Sequence, residues 1–162
     1  MSRENPIRGL FGRIFQLLAR LGPGASSLRV ALHRWRGVKI GTNAWIGYDT
    51  IIETSRPHLV SIGNNVTINM RVTIIAHFHE STGVRIEDDV FIGPGSMILP
   101  NVTVGRGSVV AAGSVVSTSV PPGTMVQGNP ARVIAKCSVP LGWSTPMQSF
   151  YRGLVPVRKN RP

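Results

Sequence analysis

IGNNVT INMRVT IIAHFH ESTGVR IEDDVF IGPGSM ILPNVT VGRGSV VAAGSV VS, residues 62–117, decides the fold. Broken every six residues, it shows an aliphatic opener in nine hexads: Ile62, Ile68, Ile74, Ile86, Ile92, Ile98, Val104, Val110 and Val116. Four positions after most openers stands a small or β-branched residue: Val66, Val72, Val90, Ser96, Val102, Ser108 and Ser114. One hexad breaks the rule. Glu80 takes the opener's place, directly after the pair His77 and His79.

A fixed period is read before local propensity. Six is not a multiple of 3.6 and is too long for one strand, so each hexad is a short strand plus a turn. An opener and the residue two before it share one face of a strand. Both sets are apolar or small, so that face points inward. Gly63, Gly93 and Gly105, each just after an opener, fit tight corners through their dihedral freedom. Three such sides wound into a triangular coil would stack each strand on the next coil at about 4.8 Å. This pattern resembles the hexapeptide-repeat, left-handed parallel β-helix, an all-β solenoid. The resemblance covers roughly residues 38–136, with fainter openers at Ile40, Ile46 and Ile52 and a slip of four residues across Arg56–Ser61.

Outside the repeat the chain changes character. It has 162 residues and a net charge of +11. Arg3, Arg8, Arg13, Arg20, Arg29, Arg34, Arg36 and Lys39 precede the coil; Arg152, Arg158, Lys159 and Arg161 follow it. Such a balance points to anionic lipid or phosphorylated substrates. Nucleic acid is not expected, because no aromatics alternate with the cations as a stacking platform would need. The single cysteine, Cys137, excludes an internal disulfide. No apolar run reaches the roughly 18 residues of a membrane span. The start, MSRENPIRGLFGRIFQLL, lacks the apolar core and cleavage site of a signal peptide, so the expected location is cytoplasmic.

Three regions follow: an N-terminal helical, basic extension (1–37), the β-helix domain (38–136) and a C-terminal tail (137–162). Residues 7–21 carry apolar side chains at helical spacing and end at Leu21-Gly22-Pro23-Gly24. Two readings stand for this helix. It packs on the β-helix or a neighbouring protomer, or it lies on an anionic membrane surface as a peripheral contact. Residues 28–36 read as a second short helix stopped by Gly37, with His33 a solvated or capping histidine. His58 reads as a loop histidine. The tail carries Trp143, Phe150 and Tyr151 and is expected to dock; from about Arg158 it is expected to be disordered.

The chemistry is expected at the broken hexad. By the register Phe78 faces in, so His77 and His79 both face out. An imidazole, with an ordinary pKa of about 6.5, can take a proton from a hydroxyl at neutral pH. Glu80, Asp88, Asp89 and Asp49 are the candidates to orient it.

The run from Ile62 through VGRGSVVAAGSVVSTSVPPGTMVQGNPARVI resembles the galactoside, maltose and nodulation-factor O-acetyltransferase branch of the hexapeptide acyltransferases. The resemblance implies a homotrimer with active sites between protomers and acetyl-CoA as co-substrate, without a metal. It implies a histidine as general base toward a saccharide or glycolipid hydroxyl, in surface-polysaccharide biosynthesis. That histidine falls on His79 by register, with His77 as its rival. The family's cofactor contacts fall on Ala112 and Gly113 in VAAGSVV, on Ser117, and on Arg132 with Lys136 after the NPA turn. Acceptor contacts fall on Asp49 and Glu80. The family's lysine next to Ser117 is Thr118 here. That branch extrudes a loop after its histidine, whereas ESTGVR (80–85) keeps the six-residue register, so no loop and a shallow, open acceptor site are expected. The alternatives are a serine O-acetyltransferase-like enzyme, a γ-type carbonic anhydrase with zinc on three histidines, and a non-catalytic scaffold.

Overall fold

The computed structural model describes residues 6–78 and 81–157, with the side chains of residues 6–8 outside the description. Two helices lead into the coil: α1 (Pro6–Leu21) and α2 (Leu28–Arg36). Gly37, at φ 108°, ends α2 in the left-handed conformation that lacks a Cβ penalty, and its N–H returns to Arg34 O.

The coil is then laid down three short strands at a time. The first circuit is β1 (Lys39–Ile40), β2 (Trp45–Ile46) and β3 (Ile51–Ile52). The second is β4 (Val60–Ile62), β5 (Thr67–Ile68) and β6 (Thr73–Ile74). The third is β7 (Val84–Ile86), β8 (Phe91–Ile92) and β9 (Met97–Ile98). The fourth is β10 (Thr103–Val104), β11 (Val109–Val110) and β12 (Val115–Val116). Each strand pairs in parallel with its counterpart one circuit on, giving three faces ordered β1-β4-β7-β10, β2-β5-β8-β11 and β3-β6-β9-β12. Opener stacks on opener throughout: Ile46 on Ile68, Ile68 on Ile92, Ile92 on Val110. This is the parallel β-helix of hexapeptide repeats, with an N-terminal helical extension.

The core is the repeat seen from inside. Ile46, Ile52, Ile68, Ile92, Ile98, Val104 and Val110 are fully buried, as are Val66, Val72 and Val90. Burying each such side chain contributes about 1.5–3 kcal/mol. Ser96, Ser108 and Ser114 are buried too, and each hydroxyl finds a backbone partner, for example Ser96 Oγ to Ala111 O at 3.0 Å.

The corners differ from expectation in one respect. Gly63, Gly93 and Gly105 do not adopt positive φ. They are required because the next coil passes too close: a Cβ on Gly93 would lie 2.5 Å from Ala112 N. The left-handed residue of each corner is instead two further on: Asn43, Asn65 and Asp89 at one corner, Asp49, Arg71, Gly95 and Gly113 at the next. Asn and Asp tolerate that region better than other side chains.

The coil is closed by β13 (Thr124–Gly128), parallel to β11, which turns back through β14 (Ala131–Cys137). α3 (Met147–Arg152) follows, and β15 (Leu154–Pro156) adds to β14. The tail therefore docks: Phe150 is buried, and Trp143 stacks on Trp45 with ring centroids 5.3 Å apart. The stretch from Arg158 lies outside the described residues.

Candidate active site

The corner joining the third face to the first is where the coil departs from its period. From Ile98 to Val104, openers of β9 and β10, the step is the normal six residues. From Ile52 to Ile62 it is ten, and from Ile74 to Ile86 it is twelve. Two successive circuits thus carry extra chain at one corner. The first excess holds the 3₁₀ turn Pro57–Leu59, with His58 exposed. The second lies between β6 and β7, where the described residues 75–78 and 81–83 form an extruded loop. The expectation of an unextended hexad is overturned: the insertion is six residues long, so the register resumes in phase although the extra hexad forms no side of the coil.

The loop is anchored at its described ends. Ser81 Oγ donates to Ala76 O, Thr82 N donates to Asn101 Oδ1 at 2.7 Å, and Gly83 sits against Leu59 O with φ 90°. Phe78, expected to face the core, is 69% exposed, because position 78 belongs to the loop and not to a coil side. His79 and Glu80 lie outside the described residues.

Glu53 holds the base of this corner. It follows Ile52, is buried, and accepts from four backbone N–H groups: Ser55 at 2.8 Å and Arg56 at 3.1 Å on Oε1, Ala76 at 2.8 Å and His77 at 3.1 Å on Oε2. The His77 ring meets the same carboxylate, Nδ1 lying 2.7 Å from Oε2 and 2.8 Å from Oε1. The His77 side chain is 48% exposed, that of Glu53 not at all. Burial pushes the Glu53 carboxyl up, but the His77 bond and the backbone N–H groups of Ala76, Arg56 and Ser55 outweigh it and hold it at about 2. Glu53 is therefore an anion at neutral pH. An anion at Nδ1 fixes the proton there and leaves Nε2 as the basic nitrogen of the neutral ring. None of the three expected orienters that are described reaches His77. Asp49 pairs with Arg20 at 2.6 Å, Asp88 with Arg106 at 2.8 Å, Asp89 accepts from Asn65 at 2.9 Å, and Glu80 is not described. Glu53 was legible only as one of two carboxylates, with Glu87, directly after an inward opener.

The helices support Glu53 from behind. Arg36 of α2 donates to the carbonyls of Ile52 (3.0 Å) and Glu53, and to Gln16 Oε1. His33, expected to be solvated or capping, is fully buried with Nδ1 3.1 Å from Arg36 Nη1. Burial first and the Arg36 charge second push its pKa down to about 3, so it is neutral.

The residues expected to hold the co-substrate lie elsewhere on the coil. Ala112 and Gly113 form the exposed corner after β11, and Ser117 is exposed just past β12. The N–H groups of Ala111 and Gly113 are taken up by Val126 O and Pro94 O, so this corner offers a low edge of small side chains. Arg132 and Lys136 are exposed, four apart on β14. A groove of about 650 Å³ between the tail and the second face, lined by Trp45, Thr67, Asp89 and Trp143, includes Asp89, a candidate orienter, but not His77 or the residues expected to hold the co-substrate. Among the described residues no three His, Cys, Asp or Glu side chains gather as a metal site.

Residues 83–118 match the family model of the bacterial transferase hexapeptide (six repeats). A Bacillus subtilis relative, provisionally named an acetyltransferase, is 38% identical over 102 residues, 60% of this chain and 59% of its own length. The chain thus spans little more than half of that relative. Among solved structures, a hexapeptide-repeat acetyltransferase of Vibrio cholerae in complex with acetyl-CoA superposes with a TM-score of 0.68 at 26% identity, over 83% of this chain and 90% of that one. A galactoside acetyltransferase in complex with coenzyme A gives 0.59 at 26% identity, over 84% of each chain.

Proposed function

We propose, from a chain that resembles the hexapeptide-repeat acyltransferases in repeat and fold, that it is an acetyl-CoA-dependent O-acetyltransferase with His77 as general base. The observation that carries this is the buried Glu53 carboxylate on His77 Nδ1 in an extruded corner loop. His79, the register's own choice, remains a candidate on the same loop.

The chemistry follows from the tautomer. Nε2 of His77 accepts the proton of an acceptor hydroxyl as its oxygen attacks. Acetyl-CoA, as co-substrate, supplies the thioester carbonyl that receives it. The imidazolium so formed faces the Glu53 anion, which stabilises it at no reorganisation cost because five N–H donors already fix the carboxylate. The imidazolium then returns the proton to the departing thiolate. Ala112, Gly113 and Ser117 would line the pantetheine arm, and Arg132 with Lys136 would meet its phosphates as cations. Asp49 and Glu80 remain candidates for acceptor contact.

The acceptor class is a saccharide or glycolipid hydroxyl, used in surface-polysaccharide biosynthesis in the cytoplasm. The single-chain coil separates the His77 loop and the Ala112 corner onto different corners, which supports an active site shared between protomers of a homotrimer. An acceptor screen with acetyl-CoA, reading free thiol, tests the reading. Thiol release with saccharides and not with serine is expected. Release with serine alone would install the serine O-acetyltransferase reading. No acyl transfer to any hydroxyl would overturn both.

A further inference from the structure

α1 is built inside out for a helix that merely caps a coil. Gln16 and Ala19 are buried, and Gly12 and Phe15 are half-buried. Gln16 donates to Thr50 O at 3.1 Å and Arg20 holds Asp49, so the polar and small side faces the protein. Leu10, Phe11, Ile14, Leu17, Leu18 and Leu21 are exposed, from 44% for Ile14 to 60% for Leu10. At 100° per residue these six occupy one continuous third of the helix circumference. Trp35 of α2, 70% exposed, extends the apolar surface through its ring contact with Phe15 at 5.9 Å. Arg13 is exposed on the border of the stripe.

Charge decides what covers it. Residues 1–40 hold eight Lys and Arg against one carboxylate, Glu4. Among the described residues a second copy of the chain offers this basic surface no unengaged carboxylate. Among the described residues Asp49, Glu53, Glu87, Asp88 and Asp89 are all engaged, with Arg20, His77, Arg106 and Asn65. A lipid surface supplies both an apolar layer and unpaired phosphates. Among the described residues no helix is long and apolar enough to cross a bilayer, so α1 can lie on one but not span it.

We propose that α1 seats the protein on an anionic phospholipid surface. Leu10, Ile14, Leu17 and Leu21 enter the acyl boundary, Trp35 sits at headgroup level, and Arg13 meets lipid phosphates. The inference does not depend on the acyl-transfer reading. It is tested by co-sedimenting the full chain with phosphatidylcholine vesicles with and without phosphatidylglycerol. Binding to the anionic vesicles is expected, weaker by about 10-fold or more in phosphatidylcholine alone or in high salt. Ile14→Glu with Leu17→Glu should lower the bound fraction by about 10-fold or more, with melting temperature and sedimentation coefficient unchanged, since both side chains are exposed. Arg13→Glu should weaken binding less. A wild-type chain that ignores anionic vesicles overturns the proposal without recourse to any variant. So does an Ile14/Leu17 variant that still binds, or one whose only effect is to dissociate an oligomer, which would make the stripe an interface between copies.

Discussion

Two corners of the same coil, built from the same period, do opposite things. At the corner between the first and second faces every circuit turns alike, and its polar side chains bond up and down the stack. Asn43 Nδ2 donates to Asn65 Oδ1 at 3.1 Å, Asn65 Nδ2 to Asp89 Oδ1 at 2.9 Å, and Asn64 N to Asp88 Oδ1 at 2.8 Å. At the corner between the third and first faces two circuits carry extra chain. There a buried carboxylate holds a half-exposed imidazole across 24 residues of sequence. A regular corner spends its polar groups on its neighbours, so none is left for a substrate. An irregular corner opens the stack and leaves a half-exposed ring, held by a buried carboxylate, where something else can reach it.

The comparison breaks most sharply at His77. His77→Ala should lower acetyl-transfer turnover by about 10²–10⁴-fold while thermal melting stays near wild type. An activity that survives moves the base to His79, and His79→Ala should then carry the loss. Glu53→Gln should cost about 10²-fold or more in kcat with KM little changed, as expected of a group acting through the imidazole. Glu53 is a positioning residue, and Glu53→Asp should restore less than the native distance allows.

Acid distinguishes the two buried titrating groups. Glu53 is held near 2 against an ordinary 4.5, so its contribution to stability is full above 4.5 and is lost as pH falls toward 2. His33 is held near 3 against 6.5; it is buried neutral, so its contribution is full above 6.5 and is lost from there down to 3. Melting temperature should therefore fall in two overlapping steps on acidification. Glu53→Gln should flatten the lower one and His33→Leu the upper one. A wild-type curve level from pH 6.5 to 3 would contradict the burial of His33.

The regular corners should respond chiefly in stability. Gly93→Ala drives a Cβ to 2.5 Å from Ala112 N and should cost about 1–3 kcal/mol in denaturant unfolding. Asn65→Ala loses both stack bonds and puts a residue less tolerant of the left-handed region at φ 55°, a cost of about 1–2 kcal/mol. Asn65→Ala should leave kcat within about twofold, because it does not touch the Glu53–His77 pair, whereas Gly93→Ala presses on Ala112 and should also raise the KM for acetyl-CoA.

The sequence alone determined the coil. A period of six with openers and small residues two apart admits one packing, since same-face residues must meet inside and each strand must find its partner one circuit on. It also marked residues 74–85 as the place to look, through the missing opener at Glu80. It could not show the extruded loop, because an insertion equal to the period leaves every later residue in phase. For the same reason Phe78 read as core. It could not pair Glu53 with His77 either: the span between them depends on how much chain two corners extrude, a quantity that only the stacked circuits set. The inverted face of α1 was likewise a tertiary decision. Helical spacing fixes which residues share a side, while the bonds of Gln16 to Thr50 O and of Arg20 to Asp49 decide which side turns inward.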